Sequence, residues 1–288
     1  MTPKSELDIA TADIANATKT FHEKVKNTTG ETSQARVAQL ASEIFSAVHN
    51  VIHEHQVSYA EYDAVKAWLI KVGEDGEWPL FLDVFVEHAV EDVATAQRPG
   101  SKGSILGPFY VPDAPRAEGR ITLPMRADEP GTPLVFRSQV RSAEGTPLPG
   151  AQVDVWQSDS DGLYSHFAPG IPEWNLRGIV TADAEGRIEI STMEPAPYQI
   201  PHEGATGQLI VAAGWHAWRP AHLHFLVVAE GHETLTSQLY FAGGPYTDED
   251  VASAVKPELM LNPTPVADGS GNEVEYDFVL APVDYPRA

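Results

Sequence analysis

The sequence contains no cysteine. Disulfides, thiolate metal ligands, iron–sulfur clusters and cysteine nucleophiles are therefore excluded, and any metal must be held by His, Asp, Glu or Tyr. Basic residues are scarce: 19 Lys and Arg stand against 41 Asp and Glu, a formal charge of −22 over 288 residues. A polyanion of this kind repels nucleic acid and anionic membrane surfaces, so neither is an expected partner. No apolar run approaches the ~20 residues of a membrane span. The opening residues, Met1 to Asp8, lack the apolar core of a signal peptide. The expectation is a cytoplasmic protein.

What is present divides in two. Residues 1–30 are polar and alanine-rich with weak patterning, predicting a loose arm and one marginal helix. From Ser33 onward Val37, Leu40, Ala41, Ile44, Val48, Val51 and Ile52 recur at helical spacing. Ser58-Tyr59-Ala60-Glu61 forms a capping-box pattern, which opens a second helix through Trp68, Leu69 and Ile70 to Val72-Gly73. A third is predicted from Pro79 through Leu82, Phe85, Val86, Ala89 and Val93 towards Gln97. These stripes carry more apolar surface than a free helical pair can hide. They fit either a helical cap or, the preferred reading, an interface between two copies. Arg98-Pro99-Gly100 ends the helical pattern. Short β-type runs follow at Leu134–Arg141, Gln152–Gln157, Gly178–Thr181, Arg187–Ser191, Gln208–Ala212, His222–Val228, Leu235–Phe241 and Glu275–Leu280, separated by Gly, Pro and Asp turns. Many short strands without intervening helices predict a mainly β protein. The expected architecture is an antiparallel β-sandwich over residues 99–288, preceded by an all-α domain over residues 1–98.

Chemistry concentrates in Trp218-Arg219-Pro220-Ala221-His222-Leu223-His224-Phe225. In a strand, residues i and i+2 share a face, so His222 and His224 aim side by side while Leu223 points away. Neutral imidazole is the commonest protein ligand for a transition metal. Other ligands must come from oxygen donors or further histidines. Asp154, Asp159, Asp161 and Asp183 lie near turns or strand edges and read as solvent-facing turn residues. Tyr164 follows the Asp161-Gly162 turn, and Tyr198 sits in the proline-rich Pro195–Pro201 segment. A phenol, with a pKa of about 10, becomes a phenolate ligand only beside a strong cation. Ferric iron is such a cation, whereas zinc more typically takes a third histidine or a carboxylate. The residues alone leave three readings open: a ferric site, a zinc or cupin-type site, and a non-catalytic binding sandwich in which the histidine pair is structural and the tyrosines pack.

Several segments together resemble the intradiol ring-cleavage dioxygenases. They are Gly107-Pro108-Phe109-Tyr110, Val153–Gln157 through Gly162-Leu163-Tyr164-Ser165, Asn175-Leu176-Arg177-Gly178 with Thr181-Ala182-Asp183 and Gly186, Pro197–Pro201, and Trp218–His224. The resemblance covers residues 99–260 in order. The N-terminal helices fit the catechol 1,2-dioxygenase branch, whose members resemble dimers joined by a helical linker domain. Gly214–Arg219 and Val255–Leu259 most resemble the actinobacterial members.

The resemblance implies that Tyr164, Tyr198, His222 and His224 hold one non-haem Fe(III) per subunit, with Tyr198 the labile ligand. It implies cleavage of catechol by O2 between its two hydroxyl-bearing carbons to give cis,cis-muconate, with hydroxyquinol and chlorocatechol as alternative substrates. Arg219 and Gln238 match polar residues beside the metal: a fixed cation by the ring, and a group that holds the opening ring oxygen. Ile105, Gly107, Pro108, Phe109, Ile200, Pro201 and Ala252 match the substrate pocket, with Leu80 and Asp83 from the last linker helix. Two departures leave the ring-substituent preference open. Leu106 stands where an acidic residue is common, and the Leu80–Asp83 segment differs; a polar Asp83 would favour an extra hydroxyl. The helical stripes also resemble a linker that encloses phospholipid acyl chains between subunits. His166, His202 and His216 carry no implied role and are read as structural or exposed.

Overall fold

The computed structural model describes residues 33–285, so the expected N-terminal arm and marginal helix lie outside the described residues. The chain forms two compact units. One comprises residues 33–80 with Glu203–Leu209, and the other Phe81–His202 with the residues from Ile210 onward. The change of sequence pattern at 98–104 falls later than this division, because the helical residues after 80 pack within the β-rich unit.

Helix α1 (Gln34–His55) is capped by Ser33, whose hydroxyl accepts from Arg36 N, and ends at Gln56 in the left-handed conformation. Helix α2 (Tyr59–Glu74) carries the predicted capping box. Ser58 Oγ accepts from Glu61 N, and the Glu61 carboxylate accepts from Ser58 N at 2.8 Å. No residue of α1 is buried, and Val37, Ile44, Phe45, Val48 and Val51 are about half exposed or more. The single third helix predicted from Pro79 is two, α3 (Trp78–Phe85) and α4 (Glu87–Thr95), broken at Val86 where φ is −129°.

The run read as a strand at Gln208–Ala212 is instead part of helix α5 (Ala205–Ala212). The buried Glu77 carboxylate accepts from Thr206 N at 2.7 Å at the start of this helix. This tertiary cap satisfies an otherwise orphan N–H and overrides the β propensity of Ile210 and Val211.

The strands are β1 (Arg116–Glu118), β2 (Arg120–Thr122), β3 (Pro133–Ser142), β4 (Gln152–Gln157), β5 (Arg177–Thr181), β6 (Arg187–Met193), β7 (Tyr198–Gln199), β8 (Trp218–Arg219), β9 (His222–Val228), β10 (Leu235–Phe241), β11 (Met260–Leu261), β12 (Thr264–Pro265), β13 (Asn272–Glu275) and β14 (Phe278–Leu280). One sheet runs β1-β5-β4-β9-β10-β11 and another β12-β13-β3-β6-β2, with β14 also on β3. Their inner faces share one core, in which Phe136, Phe225 and Phe278 meet with centroids 4.9–6.1 Å apart.

The β-sandwich is as predicted, but its sheets are mixed rather than purely antiparallel. The pairs β1–β5, β2–β6, β3–β13, β3–β14 and β10–β11 are parallel. The short strands arrive over long connections, and only a tight hairpin obliges neighbours to run antiparallel. The run read as one strand at Glu275–Leu280 is likewise divided between β13 and β14, both of which pair with β3.

Candidate metal centre

The site is built on one face of three neighbouring strands. Register places His224 between Trp156 of β4 and Gln238 of β10, and His222 beside Tyr240. Leu223 and Phe225 point the other way into the sandwich core, the alternation expected of a strand. The Trp156 indole lies nearly parallel to the His224 ring at 4.8 Å and 10°.

Two segments bring the tyrosines over this face. In the turn after β4, Asp159 Oδ1 accepts from Asp161 N and Leu163 N, both at 3.0 Å, and so sets the approach of Tyr164. Gly162 follows with φ +79°; a Cβ there would lie 2.9 Å from Pro197 O and 3.0 Å from Tyr198 Cβ. Only glycine lets the Tyr164 turn rest against the Tyr198 segment. Tyr198 is itself held by pairing of β7 with β8, opposite Arg219. Gly107, with φ +74°, lays its backbone against the His224 ring, where a Cβ would meet Cε1 at 3.3 Å.

Tyr164, Tyr198, His222 and His224 thereby converge, each no more than 4% exposed. His222 Nε2 lies 3.0 Å from His224 Nε2, and Tyr164 Oη lies 3.2 Å from the same His224 nitrogen. The Tyr198 ring stands edge-on to Tyr164 at 5.3 Å and lies 5.5 Å from His222. Burial, helped by the Arg219 charge, pushes the His222 imidazole down to about 3. Burial likewise holds His224 well below its ordinary value. Both rings are therefore neutral. Burial pushes both phenols up; at Tyr198 the Arg219 guanidinium opposes it without cancelling it.

This cluster is short of a cation. His222 Nδ1 lies 2.7 Å from Pro220 O, which can only accept, so Nδ1 carries the proton and Nε2 presents a lone pair. Among the described residues the buried Nδ1 of His224 has no hydrogen-bond partner. If His224 carries its proton there, two Nε2 lone pairs face each other; if on Nε2, a bare lone pair is buried at Nδ1. A metal between the rings resolves the first case. Among the described residues no group of three or more His, Cys, Asp or Glu could hold a metal ion, so the histidine pair has the two phenols to complete its set. Hard, anionic phenolate oxygens with two imidazoles fit ferric iron better than zinc.

The neighbouring polar groups form one buried network. Arg219 donates from Nε and Nη2 to the two Asp250 oxygens, each at 3.0 Å. Its Nη2 also reaches Gln238 Oε1 at 2.9 Å and Tyr240 Oη at 3.1 Å. Gln238 Nε2 donates to Ile105 O at 2.7 Å. Asp250 and Tyr240 were not singled out from sequence. Asp250 closes the Asp248-Glu249-Asp250 run, which looks like any solvated acidic stretch.

Of the expected pocket residues, Phe109 stacks on Tyr164 at 4.3 Å and meets Tyr198 edge-on at 5.7 Å. Ile105 and Ala252 form a small buried cluster with Ala254, and Ile200 is buried. Pro108 and Pro201 are exposed. Leu80 falls in the helical unit, and Asp83 lies half-buried on α3. His166 packs on Trp174 at 4.6 Å, His202 is exposed and His216 lies 3.5 Å from Glu249; none of the three is among the converging side chains.

Residues 105–282 match the family model described as Dioxygenase, and residues 34–102 match Catechol dioxygenase N terminus. The chain is 42% identical to a chlorocatechol 1,2-dioxygenase of Rhodococcus opacus, over 86% of this chain and 98% of that protein. It is 33% identical to a catechol 1,2-dioxygenase of Acinetobacter baylyi, over 86% of this chain and 84% of that one. The crystal structure of 3-chlorocatechol 1,2-dioxygenase from Rhodococcus opacus 1CP superposes with a TM-score of 0.82 at 48% identity, covering 87% of this chain and all of that one.

Proposed function

The chain belongs to the intradiol ring-cleavage dioxygenase family, and on that premise we propose that it holds Fe(III) through Tyr164, Tyr198, His222 and His224 and opens a chlorinated catechol in preference to catechol itself. The general activity, intradiol cleavage of a dihydroxylated aromatic by O2, follows from membership. The observation that supports the metal assignment is the approach of His222 Nε2 and Tyr164 Oη to His224 Nε2, at 3.0 and 3.2 Å, with the Tyr198 ring edge-on to Tyr164.

Held by these four residues, Fe(III) would supply Lewis-acid chemistry, withdrawing electron density from a catechol bound in the site. The chain's residues do the rest. His222 and His224 are held neutral by burial and keep their Nε2 atoms available as donors. Tyr198 lies on a two-residue strand within the proline-rich Pro195–Pro201 segment, and as a phenolate it would take a proton from an incoming catechol hydroxyl. Gln238 is held with its carbonyl oxygen on Arg219 and its amide on Ile105 O, which fixes the polar wall of the site. Phe109, Ile105, Ile200 and Ala252 offer apolar surface to the ring.

The chlorinated preference rests on similarity, 42% against 33%, and on that apolar lining. Catechol, the expectation from sequence, is the second reading. The test is a steady-state comparison of 3-chlorocatechol, 4-chlorocatechol, catechol and hydroxyquinol under air, following the muconate product. The proposal expects kcat/KM to be higher for a chlorocatechol than for catechol. Catechol ahead by tenfold would reverse the preference, and no muconate from any of the four would defeat the assignment.

A further inference from the structure

Two arginines are buried around the tyrosines, and their charges are met differently. Arg219 has a carboxylate on two of its nitrogens. Arg177, at the start of β5 and 1% exposed, has none among the described residues. Its Nε donates to Ser165 Oγ at 2.7 Å, its Nη2 to Ser165 O at 3.0 Å and its Nη1 to Phe109 O at 2.7 Å. All three acceptors are neutral oxygens. Guanidinium does not give up its proton in proteins, so this is a buried cation with each of its three nitrogens hydrogen-bonded but lacking an anion. Such a charge is expensive unless something nearby becomes negative.

Its surroundings identify that group. Arg177 Cζ lies 5.9 Å from the Tyr164 ring centroid and 5.8 Å from that of Phe167. Phe167 cannot ionise. A cation over an aromatic face is attracted to the ring, and the attraction becomes a full charge–charge interaction when the ring is a phenolate. The same guanidinium ties two parts of the site together. One arm holds the Phe109 backbone, and the others hold Ser165, next in sequence to Tyr164. The Phe109 ring stacks on Tyr164 at 4.3 Å.

We infer that Arg177 is a positioning residue of the metal centre: its buried charge is the counter-ion of Tyr164 held as a phenolate, and its fork locks Phe109 against that ring. The inference rests on the reading that Tyr164 ligates iron. It divides the two arginines by pairing. The Arg219 charge also favours the Tyr164 phenolate, but it is already met by Asp250, whereas the unpaired Arg177 charge has Tyr164 as its one acidic neighbour and so sets the electron-donating level of that ligand.

The tyrosinate-to-iron charge-transfer band reads that level directly. A cation beside the phenolate lowers its donor orbital and raises the transition energy, so removing the cation moves the band to longer wavelength. Arg177→Gln keeps part of the hydrogen bonding and loses the charge, and its band shifts to the red. Arg177→Lys keeps the charge, and its band stays near the wild-type position. Should the glutamine variant fail to fold, Ser165→Asp places a carboxylate against Nε and neutralises the same charge, giving the same red shift. An iron-loaded, folded Arg177→Gln or Ser165→Asp protein with an unmoved band would overturn the inference, as would Arg177→Lys shifting as far as Arg177→Gln. Absence of any such band from the iron-loaded wild-type protein would instead defeat the iron assignment itself.

Discussion

Asp250 holds both oxygens on the Arg219 fork and accepts from Ala252 N and Ala254 N at 3.2 Å each. Burial raises its pKa, but the Arg219 charge and hydrogen bonds outweigh burial and hold the carboxyl below its ordinary value. The pair is 2% exposed on both sides, so neither partner can be satisfied by water once the other is gone. Asp250→Leu strands the guanidinium and should cost roughly 3–5 kcal/mol in thermal or urea unfolding. Asp250→Leu combined with Arg219→Met removes the stranded charge and should recover most of that loss. A single variant as stable as the wild type would show the pair to be energetically idle. Arg219 is thus a paired cation, and what it presents to the site is the Nη2 that also touches Gln238 and Tyr240.

At the scale of elements, the histidine pair was legible and the tyrosines were not. The period-two alternation of β9 sends Leu223, Phe225 and Val227 into the core and leaves His222 and His224 together on the other face. Nothing in a single sequence distinguishes a ligating phenol from a packing one, so Tyr164 and Tyr198 stood only as candidates among the residues, and the resemblance alone made ligands of them. Asp250 was hidden for a similar reason: its burial comes from Arg219, 31 residues away in sequence. Helix α5 was misread because its cap, Glu77, is 129 residues from Thr206. The mixed sheets were missed because pairing partners of short edge strands are set by long connections.

One loop contact at this scale is open to measurement by pH. Arg126 donates to both Glu129 oxygens, at 2.8 and 2.6 Å, and to Asp159 Oδ2 at 3.0 Å, tying its loop to the turn that leads to Tyr164. Burial raises the Glu129 pKa, but the hydrogen bonds and charge of Arg126 bring it net below its ordinary 4.5. A depressed carboxyl contributes stability that is present above pH 4.5 and lost as pH falls through the folded-state value. Glu129→Gln should therefore destabilise the protein at pH 7 and leave it closer to wild type near pH 3. An equal difference at both pH values would contradict the ion-pair account.

At the scale of the whole molecule, the apolar residues of α1 are left uncovered by the described residues. Ile44 and Phe45 are 62% and 61% exposed, and Val51 is 54%, more than solvent normally meets on one helix. We propose that this stripe pairs two copies, with room for phospholipid acyl chains in the same apolar surface. Sedimentation equilibrium should give twice the mass of one chain, and Ile44→Glu with Phe45→Glu should return it to one. A wild-type monomer, or no phospholipid in an organic extract, would remove the corresponding half of the proposal. Among the described residues no helix is long and apolar enough to cross a membrane.

The central claim is that two tyrosines and two histidines hold ferric iron, and the visible absorption spectrum of the metal-loaded protein tests it most directly. The account predicts a burgundy-red protein with a broad tyrosinate-to-iron band, one iron per chain, and loss of that band in the Tyr164→Phe, Tyr198→Phe double variant. A colourless protein carrying a full complement of iron, or one that takes up zinc in its place, would contradict it.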